Sequence, residues 1–386
     1  MQFTPGDDER QLRDSAERFV DERYGFDAWR ATAREHGGFR RQTWDAMAGL
    51  GWMAVALPED CGGLGLGARE RAAIVEALGS GLVLEPYWST AVMCAELLLG
   101  AAAPPQRRAW ASRIADGSLR GAFACFEPST GYDWRAVRCT ARRVDGRWRI
   151  DGEKIAVLDA PLADRLMVLA RTGGAPGDAA GLSLFWIPAD LDGVARRDFP
   201  SVDERRCSDL TLTRVEPPED ALLGEAGAAA EAVGRAIDHG LAALCAESVG
   251  VMTRALRDTV AYLKVRRQFG RPLAEFQALR HRVADMVMAL EQSRSIATLC
   301  TVSLDDTPAQ RARTAAAAKA QIGLAGRFVG ESAVQLHGGI GVTDELQVGH
   351  HLKRLLAIDA LLGDANHQLA RVADLTLQPS GARPWA

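Results

Sequence analysis

The feature that most limits how this chain can fold is an apolar run of helical period that ends in a cationic turn. Val233, Ile237, Leu241, Leu244, Val249, Met252, Leu256 and Val260 recur at three- to five-residue steps, close to one helical face. Arg266 and Arg267 follow, just before Gln268-Phe269-Gly270, and Pro272 breaks the pattern. A second helical pattern starts near Glu275 and carries Phe276, Leu279, Val283, Met286 and Leu290 on one side. Two helices therefore meet at a turn that holds cations, an amide and an aromatic ring. A guanidinium grips a phosphate through two parallel hydrogen bonds, so such a corner suits a flat, anionic ligand. A basic surface turn between two bundle helices is the other reading, and so short a run does not choose between them.

The rest of the chain changes character twice. Residues 1–120 read as helices around a glycine-rich loop, Leu57–Gly67. From Gly121 the pattern turns to strands: Ala122–Phe126, Leu166–Ala170, Leu182–Ile187 and the period-two run Leu210–Thr213. Asp145-Gly146 supplies a hairpin turn. The middle region, 121–225, is expected to be an antiparallel β domain. From 226 to 386 the pattern is helical again, near 228–265, 274–300, 308–336 and 345–375, which predicts a four-helix bundle.

Three stretches carry a resemblance to a known family. They are YLKVRRQFGRPLAEFQALRHRVADM from Tyr262, AVQLHGGIGVTDE over Ala333–Glu345, and LPEDCGGLGL over Leu57–Leu66. Together and in this order they resemble the acyl-CoA dehydrogenase family. The resemblance implies an α+β architecture: an N-terminal helical domain (1–120), a middle antiparallel β-barrel domain (121–225) and a C-terminal four-helix bundle (226–386). It implies FAD as cofactor and α,β-dehydrogenation of an acyl-CoA thioester as reaction, with electron-transfer flavoprotein or a similar acceptor taking the electrons. Arg266, Gln268 and Phe269 match the positions that hold the flavin's ADP half across a dimer interface. Gln335, Gly338 and Gly339 match the partner chain's contribution, where paired glycines let the backbone approach a pyrophosphate. Gln277 matches a further contact on the adenine side, and His337 is expected to pack or cap.

The chain departs from the family at its chemistry. Counted from Glu345, the position of the usual C-terminal catalytic glutamate falls on Leu362, in LLGDAN. The alternative position on the long helix, ten residues before Gly250, is Gly240. Neither side chain accepts a proton, although the backbone N–H of Leu362 is able to bind a thioester oxygen. The flavin-contact loop reads FEPSTGYD over Phe126–Asp133, and Ala156 stands where a tryptophan is expected. Glu247 is the one charged residue in Leu241–Met252 and is therefore the candidate base, because burial raises a carboxylate's pKa toward the range a base needs. Its distance from Gly240, two turns or about 10 Å, is the objection, and a buried pair with an arginine is the competing expectation. Asp364, beside Gly363, is a second candidate.

AESVG on the long helix and LLGDANHQLAR at Leu361–Arg371 resemble the branch whose subunits act as unlike pairs on dicarboxylyl and steroid-side-chain CoA thioesters. Three functions stay open. The chain is a dehydrogenase, alone or as one subunit; or a non-catalytic flavin-binding partner of a heteromer; or a flavin monooxygenase or carrier-bound acyl oxidase on the same fold. A homo- or hetero-oligomer is expected in each case.

Composition narrows the partners. Hydrophobic residues are 47% and charged residues 25% of the chain, as in an ordinary globular protein. A formal net charge of −4 gives no reason to expect nucleic acid or an anionic membrane. Seven scattered cysteines without a CxxC pair predict free thiols, no metal site and a reducing, cytoplasmic setting. The acidic start predicts no signal peptide, and no apolar run of about 18 residues predicts a membrane span.

Overall fold

The computed structural model describes residues 6–34 and 37–377. The first five residues of the acidic start, and the end of the expected third domain beyond 377, lie outside the described residues. Helices α1 (Asp7–Arg23), α2 (Phe26–Arg34), α3 (Arg41–Gly49), α4 (Ala68–Ser80), α5 (Ala95–Ala101) and α6 (Pro104–Ala115) come first. Strands β1 (Gly121–Ala124), β2 (Thr140–Val144), β3 (Arg147–Leu158), β4 (Arg165–Arg171), β5 (Leu182–Pro188), β6 (Val194–Pro200), β7 (Arg206–Val215) and β8 (Leu222–Leu223) follow. Helices α7 (Ala230–Val265), α8 (Gln277–Val302), α9 (Pro308–His337), α10 (Val348–Ala360) and α11 (Ala365–Leu377) close the sequence. The helical, β and helical succession is the one the sequence pattern predicts.

These elements form two compact units. Among the described residues, one takes 6–30, 68–83 and 241–377; the other takes 31–67 and 84–240. In the second unit the strands form a single sheet in the order β6-β7-β3-β2-β4-β5-β8, with β1 on β4. The expected antiparallel barrel is corrected: the path is open, and β1 and β2 both pair with β4 in parallel. The physical reason is the β2–β3 hairpin, which gives the chain between β1 and β4 enough length for the crossover that parallel pairing needs. The Asp145-Gly146 turn forms with both residues at positive φ (+51° and +82°), joining Val144 to Arg147 across the hairpin. β4 and β5 are buried along nearly their whole length, as the continuous apolar runs require.

The first unit holds the helices that build the site. α9 packs against α8, α10 and α11, and α4 against α1 and α8. The single helix expected at 345–375 is corrected to two, α10 and α11, broken between Ala360 and Ala365. Leu362 and Gly363 sit at φ +57° and +104° in the break, a conformation that ends a right-handed helix and strains any residue but glycine.

Candidate functional site

α7 ends at Val265, and Arg267–Gln268 then pairs with Arg271–Pro272 as a two-residue ladder. Phe269 (φ +51°) and Gly270 (φ +80°) make the reversal between them. The N–H of Leu273 donates back to the Arg266 carbonyl at 2.8 Å, which fixes where the turn re-enters the helix pair. A cavity of about 580 Å³ opens at this corner. Arg266, Gln268 and Leu273 line it from the turn, Ala278, Leu279 and Arg282 from α8, and Gln335, His337, Gly338 and Gly339 from the end of α9.

Five of the expected cofactor residues therefore line one cavity: Arg266, Gln268, Gln335, Gly338 and Gly339. The sequence reading divided them between two chains, whereas a single chain brings them together. Phe269 and Gln277 do not line the cavity. Phe269 sits at the tip of the reversal, 90% exposed, and Gln277 lies one residue off the Ala278–Arg282 row, about 100° round the helix. The sequence reading missed Arg282; its spacing of four from Ala278 is the signal that places both on one helix face.

The cavity's polar groups are open. Among the described residues, the side chains of Arg266, Arg282, Gln268 and Gln335 make no hydrogen bond or ion pair within the chain. Gly338 and Gly339 have no atom within 4 Å of where a Cβ would stand, so the backbone there is bare. His337 forms part of the floor: its ring stacks on Tyr262 at 4.5 Å, and the Tyr262 hydroxyl donates to the His337 carbonyl at 3.3 Å. Nδ1 of His337 lies 2.8 Å from the Ala333 carbonyl, which only accepts, so Nδ1 carries the proton. Packing is thus its first role, as expected. Two guanidiniums, two amides and bare glycine backbone fit a dinucleotide's diphosphate and its flanking hydroxyls.

Glu247 stands elsewhere and is committed. As the candidate base it was expected to face a cleft without an arginine partner; the structure has the competing arrangement, in which Arg354 Nε donates to its Oε1 and Nη2 to its Oε2, both at 2.8 Å. Both residues are buried. Their enclosure follows from close helix packing. A Cβ on Gly79 would stand 2.4 Å from the Glu247 carbonyl oxygen, and one on Gly250 would stand 1.8 Å from that of Glu76. Only glycines allow α4 and α7 so near. A carboxylate held by both arms of a guanidinium fork has its charge answered and its lone pairs in use, so it is a poor proton acceptor. The sequence allowed for an arginine partner but did not say which, because Arg354 lies 107 residues away.

The second candidate, Asp364, caps α11: its Oδ1 accepts the His367 N–H at 2.8 Å. The surrounding elbow is tied down from several sides. Gln368 Nε2 donates to the Leu362 carbonyl at 2.7 Å, and Asp359 Oδ1 accepts the Ala365 N–H at 3.1 Å. Lys319, fully buried on α9, donates to the carbonyls of Asp359 and Gly363 at 2.8 and 2.9 Å. Desolvation holds its ammonium below the ordinary lysine pKa. By contrast, the Leu362 N–H has no partner among the described residues.

In the sheet unit, the Phe126–Asp133 loop is anchored by Glu127, which accepts the N–H groups of Arg138 and Cys139 at 2.7 and 3.0 Å and pairs with buried Lys154 at 2.7 Å. Ala156 falls in a bulge of β3, at φ +48°, with its N–H on Asp209 Oδ1 at 2.9 Å. The residue that replaces the expected tryptophan thus sits at a backbone irregularity.

Comparison with known proteins agrees with this construction. Models of the acyl-CoA dehydrogenase N-terminal, middle and C-terminal domains match residues 6–118, 122–215 and 230–377. The chain belongs to the acyl-CoA dehydrogenase family, whose members are FAD-dependent oxidoreductases acting on CH–CH bonds. It is 29% identical to mitochondrial isovaleryl-CoA dehydrogenase of Oryza sativa subsp. japonica over 358 residues, 90% of this chain and 86% of the relative. Among solved structures, a variant of the Tcur3481-Tcur3483 steroid ACAD superposes with a TM-score of 0.87 at 30% identity, covering 98% of this chain and 100% of that one. The ChsE4-ChsE5 complex from Mycobacterium tuberculosis gives a TM-score of 0.88 at 25% identity, again over 98% and 100%. Among the described residues no helix is long and apolar enough to cross a membrane.

Proposed function

We propose that this chain binds FAD at the α7–α8 corner and works as one subunit of a heteromeric acyl-CoA dehydrogenase, with a related subunit supplying the base. The observation that carries the cofactor assignment is the gathering of Arg266, Gln268, Gln335, Gly338 and Gly339 around one open cavity. Held there, FAD would supply the acceptor for the hydride from the substrate's Cβ–H bond, while the Cα–H proton passes to a base and the carbons become doubly bonded. Arg266 grips phosphate, the two amides orient the flanking hydroxyls, and the glycines let backbone close on the diphosphate. The free N–H of Leu362 is available to the thioester oxygen, where it lowers the cost of charge that develops as the α-proton leaves. The family's usual base is missing at this position: the side chain is leucine, Asp364 gives Oδ1 to the cap of α11, and Glu247 is held by Arg354. A second subunit with a free carboxylate completes the reaction. The likeness to the two-component ChsE4-ChsE5 complex supports the same arrangement.

The test is to purify the chain alone and together with a related dehydrogenase-like subunit, then add a panel of acyl-CoA thioesters. We expect flavin absorbance with the pair, and bleaching with the pair only. Full bleaching of the lone chain overturns the need for a second subunit. Absence of flavin from both preparations overturns the cofactor assignment.

A further inference from the structure

We propose that Arg282 is a second cationic anchor of the cavity, so that the site grips a diphosphate through two guanidiniums, one on each phosphate. This rests on the reading of the cavity as an FAD site and adds a residue to which the resemblance assigned no role.

Position comes first. Arg282 lies one helical turn beyond Ala278 on α8, and both line the cavity with Arg266. Availability comes second. Several other arginines are engaged: Arg254 pairs with Asp258 at 3.0 Å, Arg294 with Glu76 at 2.7 Å, and Arg267 donates to the Gly270 carbonyl at 2.9 Å, while Arg280, also open, does not line the cavity. Arg271 lies over the Phe276 ring at 4.2 Å. Arg266 and Arg282 have no such partner. Third, no carboxylate lines the cavity, so neither cation is answered until an anion arrives. A diphosphate diester carries one charge on each phosphate, and a single guanidinium leaves one of them unmatched. Gly338 and Gly339 line the same cavity and have nothing within 4 Å of where a Cβ would stand, which leaves backbone open to the bridge.

FAD and CoA both contain an adenosine diphosphate, so the test separates them, with FMN as the control that lacks the bridge. The full-length chain, freed of flavin, is titrated with FAD, FMN and CoA, following flavin fluorescence or competition. Arg282→Ala is expected to weaken FAD about tenfold or more, the effect of one charge-assisted contact, and to leave FMN unchanged. It should also make FAD affinity less sensitive to salt. Arg282→Lys should restore part of the loss, because it returns the charge without the fork. Unchanged FAD affinity in Arg282→Ala, while Arg266→Ala releases FAD, overturns this proposal and leaves the cofactor site standing. Unchanged FAD affinity in both variants overturns the site itself. A loss confined to CoA assigns the bridge to CoA and overturns the FAD clamp. A lowered melting temperature of flavin-free Arg282→Ala makes the residue structural and overturns it as well.

Discussion

At the α7–α8 corner, Arg266 and Arg282 stand exposed with no partner among the described residues, while on α10 buried Arg354 gives both arms of its fork to Glu247. The two regions belong to the same compact unit and use the same residue type to opposite ends. Solvent access decides which. An exposed guanidinium keeps its hydration and waits for a ligand at little cost, whereas a buried one must be answered inside the protein, because desolvating an unpaired ion costs several kcal/mol. Lys319 obeys the second rule with backbone carbonyls in place of a carboxylate. Polar groups open to water are therefore where ligands are to be sought, and closed ones are where the shape is held.

The largest expected effect comes from breaking the closed region. Arg354→Met strands the Glu247 carboxylate and should lower unfolding stability by about 3–5 kcal/mol. Adding Glu247→Leu should recover most of that loss, and urea unfolding of the two variants checks it. If Arg354→Met alone is neutral, the ion pair is not what closes α10 onto α7. A middle-sized effect belongs to His351, fully buried on α10 with neither ring nitrogen paired. Burial pushes its pKa from 6.5 down to about 3. As pH falls below 6.5 the unfolded chain takes up a proton that the folded chain refuses, so stability drops progressively toward pH 3. The loss from this group between pH 6.5 and pH 5 should be about 2 kcal/mol, and His351→Leu should flatten that part of the profile. An equally steep profile in the variant would move the effect to other groups. The smallest effect belongs to the open corner: Phe269→Ala, at a residue 90% exposed, should change the stability of flavin-free protein by no more than about 0.5 kcal/mol. A larger shift in thermal unfolding would mean that the tip of the turn supports the fold as well as facing solvent.

Much of this was legible in the residues. The 3.6-residue period gave α7 and α8, Asp145-Gly146 gave the hairpin, and the RRQFG and QLHGG runs pointed to five residues that one cavity collects. Errors arose where an outcome depended on residues far apart in the chain. The barrel became an open sheet because parallel pairing with β4 is a choice of strand neighbour, which alternation along a strand does not encode. The last helix divided at Leu362-Gly363, where an apolar periodicity ran on through a break that a single glycine only hinted at. Lys319 in a run of alanines carried the same signal that drew attention to Glu247, a lone charge on an apolar face.

By itself the sequence determined the helical, β and helical succession, the family, the cationic turn, and the loss of a carboxylate at Leu362 and Gly240. These are properties of single positions and short periods, and local sterics and side-chain chemistry enforce them wherever the chain goes. Only the tertiary structure decided that the two cofactor motifs meet on one chain, that Arg282 joins them, and that Glu247 is closed by an arginine 107 residues away. Burial and the choice of partner are set by packing between distant segments. A charge therefore becomes a base, a brace or an open hand for a ligand only after the helices have closed around it or left it facing water.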